Sequence, residues 1–416
     1  MADFISEAAM TKTILIICGG IEATHGIARA REMGLKVVVS DGNPQAPGFK
    51  LADGAIVSST YDAEGTAQAA LHYTREAGPI DGVICCGADV PHTVSAVAAK
   101  LGLRGLAPDV ARAAMDKLLM KEKFAAAGVP IPWFDAVPNA SWLSSLVARK
   151  GRDFVVKPVD SRGGRGVQRL NSGVDPVLAY ERAEAQSPTH RVMVETFLDG
   201  PQVSTESIVL DGVCHTPGFS DRNYEFLERY QPFFIENGGD LPSFLPQAQQ
   251  EDVKRVVGDA AAALGIDNHN VKGDMVVHQG RAHVIELAAR LSGGYFCTRE
   301  IPLNTGVDFV GCVIRLALGE KVTAADVTPR FIRPVIQRYV FPQAGRVASI
   351  RGVDEARRIP GIEEIVVSAR AGDEIPRATS SAARAAMILA TGDTIIAARE
   401  SANRAAALIL VETQSL

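Results

Sequence analysis

Apolar and polar positions alternate along this chain in two rhythms, one of short unbroken β-branched runs and one of helical period. From Thr13 the sequence reads TILIICGG, then IEATHGIARAREMG, then LKVVVSD. A buried run, a glycine turn, a helical stretch and a second buried run make the βαβ unit of a doubly wound parallel sheet, whose ligands gather at the carboxyl ends of the strands. Two further strands are predicted at GAIVS and DGVICC, with a helix between them and another at HTVSAVAAKLG, so the first domain ends near residue 105. The stretch PDVARAAMDKLLMKEKFAAAGVPIP reads as helical up to Gly128 and the Val129-Pro130 break. An α+β unit over 133–185 follows, then two strands over 191–210 joined by a Leu-Asp-Gly-Pro turn. A charged, aromatic loop over 221–245 interrupts the pattern before a helix over Gln247–Leu264 and a strand pair from Asp274. Beyond Val322 the chain is alanine-rich, with strands at PVIQRYVF, IEEIVV and AAMILATG and a last helix at ESANRAAALI. The pattern as a whole is α/β and α+β.

Composition narrows what such a chain can do. With 47% apolar and 22% charged residues over 416 positions, it has the balance of a soluble globular protein of several domains. A net charge of -5 argues against nucleic acid or an anionic membrane as the main partner, so its local basic loops serve small anions. No apolar stretch approaches the roughly 20 residues of a membrane span. The first residues, MADFISEAAMTK, lack a basic start followed by an apolar core, and a cytoplasmic location is expected. The six cysteines show no CxxC spacing, which predicts buried thiols rather than a zinc site or a disulfide framework.

The strongest chemical signal is FVVKPVDSRGGRGV, residues 154–167. Lys157 ends an apolar strand, and Gly163, Gly164 and Gly166 then let successive amides face phosphate oxygens while Arg162 and Arg165 add charge. A surface hairpin with arginines in its turn is the bland alternative, and no GxxxxGK[ST] loop is present. The second signal is Asp274 and Glu286, on consecutive strands joined by His278-Gln279-Gly280-Arg281. Antiparallel pairing brings such carboxylates together, which suits a divalent cation; a salt-bridge ladder with Lys272 and Arg290 is the alternative. Asp41 stands 22 residues after Gly19, where a dinucleotide domain keeps a ribose carboxylate, but Ile21 and Thr24 replace the fingerprint glycines and a strand-end turn role beside Gly42, Asn43 and Pro44 fits better. Gly19 and Gly20 at the first strand-to-helix turn offer a helix start to an anion. Arg299 either clamps a substrate carboxylate or pairs at the surface with Glu300 or Asp308, and the 221–245 loop is either a specificity lid or a homodimer contact.

Taken in order, these pieces resemble the ATP-grasp superfamily, in particular its carboxylate–amine ligases of the L-amino-acid ligase type. The resemblance covers nearly the whole chain and implies a doubly wound preliminary domain over 12–105. It further implies an ATP-grasp lobe with the glycine loop over 106–190, a second lobe with the metal site over 191–321, and a small α+β C-terminal lobe over 322–416. MDKLLMKEKFAAAGVPIP looks like the family's helix whose early lysine, Lys117 here, reaches the α-phosphate. FVVKPVDSRGGRGV is similar to the segment that sets Lys157 on the α- and β-phosphates and folds Ser161, Gly163, Gly164 and Gly166 over the triphosphate. VMVETFLDGPQVSTES resembles the adenine linker, with Glu195 at the amino group and the backbone of Thr196, Phe197 and Leu198 along the ring edge. DMVV and IELAARLSGG resemble the metal strands, with Asp274 and Glu286 as magnesium ligands and Arg290 on the γ-phosphate. Two departures stand out: Gln202 replaces the usual ribose glutamate, and Ala288 replaces an asparagine ligand.

The resemblance implies an enzyme using ATP and Mg2+, with Mn2+ compatible with the same oxygen donors. A carboxylate would be phosphorylated to an acyl phosphate with release of ADP, and an amine would then displace phosphate. Lys157 and Arg290 would offset charge on the transferring group, Arg299 would hold the acid, and the partners are a small-molecule acid and amine. A carboxylase of the purine-synthesis or biotin carboxylase type, and a nucleotide-binding sensor without turnover, are the alternatives.

Overall fold

The computed structural model describes residues 11–151 and 153–415. The expectation drawn from the start of the chain falls largely on residues 1–10, outside the described residues. The first βαβ pattern folds as a parallel sheet in the order Gly54–Val57, Lys36–Asp41, Thr13–Ile17, Gly82–Cys85. Thr13–Ile17 is buried throughout because Leu15 and Ile17 face one core while Ile14 and Ile16 face another. That double covering is what an unbroken apolar run anticipates. Past its carboxyl end, Gly19 lies so close to the second strand that an added Cβ would come 2.9 Å from Val39 Cγ1. Asp41 accepts the Gly19 and Asn43 amides, each at 2.8 Å, so both its oxygens are spent on closing the turn rather than left for a ribose.

The helical stretch after residue 107 is two helices, Pro108–Ala113 and Lys117–Ala126. Asp116 leaves helical geometry between them and its side chain caps the second on the Leu119 amide at 3.0 Å, which puts Lys117 in the first turn. An antiparallel sheet follows, ordered Phe134–Val137, Val192–Thr196, Phe154–Pro158, Gln168–Leu170. Phe154, Val156, Val192 and Val194 fill its core. Strand alternation therefore turns Val155, Lys157 and Glu195 to the opposite face.

The reading of 191–210 needs correction. Val192–Thr196 and Gln202–Leu210 do not pair with each other; the second lies in a different sheet, between His269–His278 and Val213–Arg222. Leu198-Asp199-Gly200-Pro201 is a connector between sheets, and its turn-like composition says nothing about which strand is the partner. Val213–Arg222 is also a strand over its whole length, so the loop begins later than its charged and aromatic residues suggest.

The second sheet has eight antiparallel strands: Arg281–Ala288, His269–His278, Gln202–Leu210, Val213–Arg222, Gly239–Leu241, Val335–Val340, Ala386–Thr391 and Ile362–Val367. It runs unbroken across residue 322, since Asp240 pairs with Ile336. A small sheet of Glu374–Ile375, Gly345–Arg351 and Leu410–Gln414 completes the C-terminal part. No described helix is long and apolar enough to cross a membrane, and all six cysteines are free thiols.

Candidate active site

A cavity of about 670 Å³ lies between the lysine-bearing face of the four-stranded sheet and the first strands of the eight-stranded one. The turn after Cys85 and the residues around Glu22 wall it on the side of the first domain, and Tyr339 and Arg384 on the C-terminal side. Residues singled out from the sequence line it, among them Lys117, Lys157, Ser161, Gly163, Gly164, Glu195, Phe197, Leu198, Gln202, Asp274, Glu286 and Arg290.

Their local geometry follows from strand and helix periodicity. Val155 pairs with Glu195 across the strands, so Lys157, two residues along, is a diagonal neighbour on the same face and its ammonium bonds to Glu195 Oε1. The other oxygen, Oε2, faces Lys121 Nζ at 3.2 Å, and Lys121 also donates to the Val284 carbonyl at 3.0 Å. Lys121 was not anticipated, although it stands one helical turn after Lys117 and so shares its face. Burial pulls the Lys121 ammonium down to about 8, with the neighbouring Lys157 adding to the fall. Burial disfavours the Glu195 carboxylate, but the two lysines outweigh it and hold its pKa below the usual range. Lys117 donates to the Ser161 carbonyl at 2.7 Å and faces Glu286 at 3.0 Å, tying the helix start to both the glycine loop and the far sheet.

Asp274 and Glu286 are direct partners in the antiparallel register, beside a bulge at Met275. Each carries a cation: Asp274 is bonded to Lys272 and to Arg222 at 2.7 Å, and Glu286 to Lys117. Burial alone would raise Asp274, yet Arg222 and Lys272 hold it well below the ordinary carboxylate range. The salt-bridge alternative is thus partly realised, with Arg222 and Lys117 where Arg290 was expected. Two hard oxygen donors opposite one another on a cavity wall still fit magnesium. No group of three or more His, Cys, Asp or Glu with metal-holding geometry occurs among the described residues, so phosphate and water would have to complete the shell. Arg290 faces Asp89 of the first domain through its Nε at 3.5 Å, an ion pair in which that Nε makes no hydrogen bond.

Among the residues given candidate roles, Gly19, Gly20, Gly166, Thr196 and Arg299 do not line the cavity. Gly166, at φ +75, folds the loop back where an added Cβ would meet Pro158 at 2.8 Å. The Thr196 amide is spent on the Trp133 carbonyl and the Phe197 amide on that of Asp153, both at 2.8 Å, so only the Leu198 amide is left for a ligand. Arg299 pairs with neither Glu300 nor Asp308: its Nε bonds to Glu364 Oε2 at 2.7 Å, and Glu364 also faces His25 at 2.9 Å. The expected pairing with Glu300 or Asp308 does not form, because the strand Ile362–Val367 supplies a carboxylate from a part of the chain the sequence does not link to it. Arg299→Ala is expected to leave ATP turnover within about twofold and to cost no more than about 1 kcal/mol of stability, measured by ADP release and thermal unfolding.

Glu206 is a further carboxyl the sequence reading passed over, marked only by being a Glu in a strand buried almost throughout. It accepts from the Ser292 amide at 3.3 Å, its other oxygen has no partner, and burial pushes its pKa up to about 7. A raised folded-state pKa means stability present at low pH and lost as pH climbs from about 4.5 to 7, on the order of 3 kcal/mol in full. Glu206→Gln should therefore match the parent near pH 4 and exceed it at pH 8 in thermal melts; a constant difference would place the cause elsewhere.

An ATP-grasp domain model matches residues 114–294, and the model of L-amino acid ligase C-terminal domain 2 matches residues 338–414. The uncharacterised protein y4rH of Sinorhizobium fredii is 28% identical over 305 residues, 72% of this chain and 61% of that protein. A D-alanine–D-alanine ligase of Synechococcus is 34% identical over 141 residues, 32% of this chain and 42% of that one. The biotin carboxylase of Pseudomonas aeruginosa is 26% identical over 226 residues, 53% and 49% of the two chains. The chain thus spans less than two thirds of the length of these relatives. Two solved structures share its fold. The L-amino acid ligase of Bacillus licheniformis has a TM-score of 0.80 at 20% identity, covering 97% of this chain and 99% of that one. The N5-carboxyaminoimidazole ribonucleotide synthetase of Thermotoga maritima has 0.71 at 17%, covering 97% and 100%.

Proposed function

We propose, on the premise that the chain belongs to the ATP-grasp superfamily, that it is a magnesium-dependent enzyme that phosphorylates a carboxylic acid with ATP, releases ADP and passes the acyl group to an amine. One observation carries this reading: two lysines, a facing carboxylate pair, an arginine and a glycine loop, distant in sequence, converge on a single cavity between two sheets. Lys117 and Lys157 would neutralise the phosphates; each now holds a carboxylate that a nucleotide would replace as partner. Glu195 and the free Leu198 amide would take the adenine edge, and Gln202 a ribose hydroxyl. Asp274 and Glu286 would hold magnesium, which when bound draws charge from the phosphate oxygens. Arg290, its Nε unspent, would meet the transferring phosphoryl group. The glycine loop excludes water from a product that hydrolyses readily: Arg162 stacks on Tyr61 of the first domain at 3.6 Å, and the Gly163 carbonyl accepts from Ser381 at 3.3 Å.

The match of residues 338–414 to a ligase C-terminal domain favours an amide product. A second reading, that the acid is bicarbonate, is favoured by the likeness to a biotin carboxylase and to a carboxyaminoimidazole ribonucleotide synthetase. A screen for ADP release over carboxylic acids, amines and bicarbonate, with hydroxylamine as trap, separates them. A hydroxamate of one acid supports the ligase; ADP release that responds to bicarbonate alone supports the carboxylase. AMP and pyrophosphate as products would overturn both.

A further inference from the structure

Just beyond Gly293 and Gly294, residues Phe296–Glu300 form a π-helical turn, and Tyr295 before it sits at φ +66. Such turns cost regular hydrogen bonding and recur where a displaced side chain is put to use. The last residue of this one, Glu300, lines the cavity, yet the residue is only 2% exposed. It is also the one cavity-lining carboxyl with no ion pair or hydrogen bond to any described residue. Glu22 accepts the Gly294 amide at 2.9 Å, Asp41 closes its turn, Asp89 faces Arg290, and Glu195, Asp274 and Glu286 carry cations as described above. Glu236, the carboxylate that most strongly repels it, is held by Arg222 at 2.5 Å and Arg384 at 3.6 Å, and Asp240 by Arg338 at 2.7 Å and Arg399 at 2.6 Å. The cations nearby are therefore committed. Burial first, then the Glu236 and Asp240 carboxylates, push the Glu300 pKa well above the usual range, against weaker pulls from Arg384 and Arg338. A buried carboxyl without a partner burdens the fold and adds nothing to packing that an amide would not. It has a use when a ligand brings the missing positive charge.

We propose that Glu300 is the residue that receives a primary ammonium group of the substrate in this cavity, a specificity determinant separate from the nucleotide and metal contacts. The choice of ligand rests on the carboxylate–amine ligase reading, in which the ammonium belongs either to an amino-acid-like substrate being activated or to the amine being acylated. On binding, the ammonium favours the charged form of Glu300, and any proton the carboxyl still carries passes to solvent.

The test is calorimetric titration of the full chain, loaded with ADP and magnesium, with L-alanine, L-alaninamide and L-lactate. Binding of an ammonium compound is expected to weaken about 10- to 100-fold in Glu300→Gln, while lactate treats both proteins alike. Titration at falling pH, in buffers of different ionisation enthalpy, should show proton release that grows in the parent relative to the variant. Sensitivity to L-alanine assigns the activated acid, and sensitivity to L-alaninamide alone assigns the amine. The KM for ATP should not move, and neither Glu300→Gln nor Glu300→Met should melt lower than the parent. The proposal is overturned if ammonium compounds bind parent and variant equally, if none binds the parent, or if both variants are markedly destabilised, which would make Glu300 part of the scaffold. Ammonium binding that depends on Glu300 in a protein whose ADP release answers only to bicarbonate would sink the ligase reading and keep this one. A hydroxamate formed equally well by Glu300→Gln would do the reverse.

Discussion

Glu286→Gln gives a folded chain in which ADP release has fallen at least about 100-fold. The side chain is 25% exposed on the cavity wall, and glutamine matches its size, so the Arg281–Ala288 strand has no reason to rearrange. What is lost is one negative charge facing Asp274. With it goes half of the oxygen pair proposed to hold magnesium, and Lys117 loses its carboxylate partner. Thermal unfolding within a few degrees of the parent, together with lost turnover at saturating magnesium, is the expected pair of results. Full turnover in the soluble variant would remove Glu286 from the metal site.

Lys157→Ala should damage both stability and activity. Its partner Glu195 has a side chain only 3% exposed, and without Lys157 that carboxylate relies on Lys121 alone. Removing one member of a buried charge cluster costs roughly 3 kcal/mol, partly offset by relief of the Lys121–Lys157 repulsion. The KM for ATP should rise as well. Lys150→Ala is the control: Lys150 caps the ring of Trp133 at 4.4 Å at a helix end, and its loss should cost about 0.5–1 kcal/mol and leave the KM for ATP alone. Equal effects in urea unfolding and ATP titration would mean that the basic residues act through general electrostatics rather than position.

Local pattern carried most of the elements and the site, because the relevant contacts are short-range in register even when remote in sequence. The facing of Asp274 and Glu286 takes two features: a tight turn, in which Gln279 and Gly280 both have positive φ as a two-residue hairpin requires, and the bulge at Met275, which shifts the register by one residue from the Asp274–Ile285 pairing that the turn alone would give. The shared face of Lys157 and Glu195 needs only the alternation of two paired strands. What could not be read is which strand meets which. Nothing in 191–210 tells that its two strands part into different sheets, nor that Glu364 would claim Arg299 or Arg222 would claim Asp274. Charge partners in a folded chain are decided by packing between elements, to which periodicity along one element is blind. Lys121 was legible in principle, one turn from Lys117, but an amphipathic helix rich in lysine gives no sign of which ammonium is buried.

The unbroken eight-stranded sheet bears on how this protein could be taken apart. Cutting the chain near residue 322 would strip Val335–Val340 from Gly239–Leu241 and bare a row of unpaired amides and carbonyls on each fragment. Such raw edges seek other strands, so fragments made separately would sooner associate with copies of themselves than persist as soluble modules. The last hundred or so residues are for that reason built into the sheet that walls the cavity rather than appended to it, whereas the four-stranded sheet on the opposite wall shares no strand pairing with it and is joined to it by the short connector through Gly200.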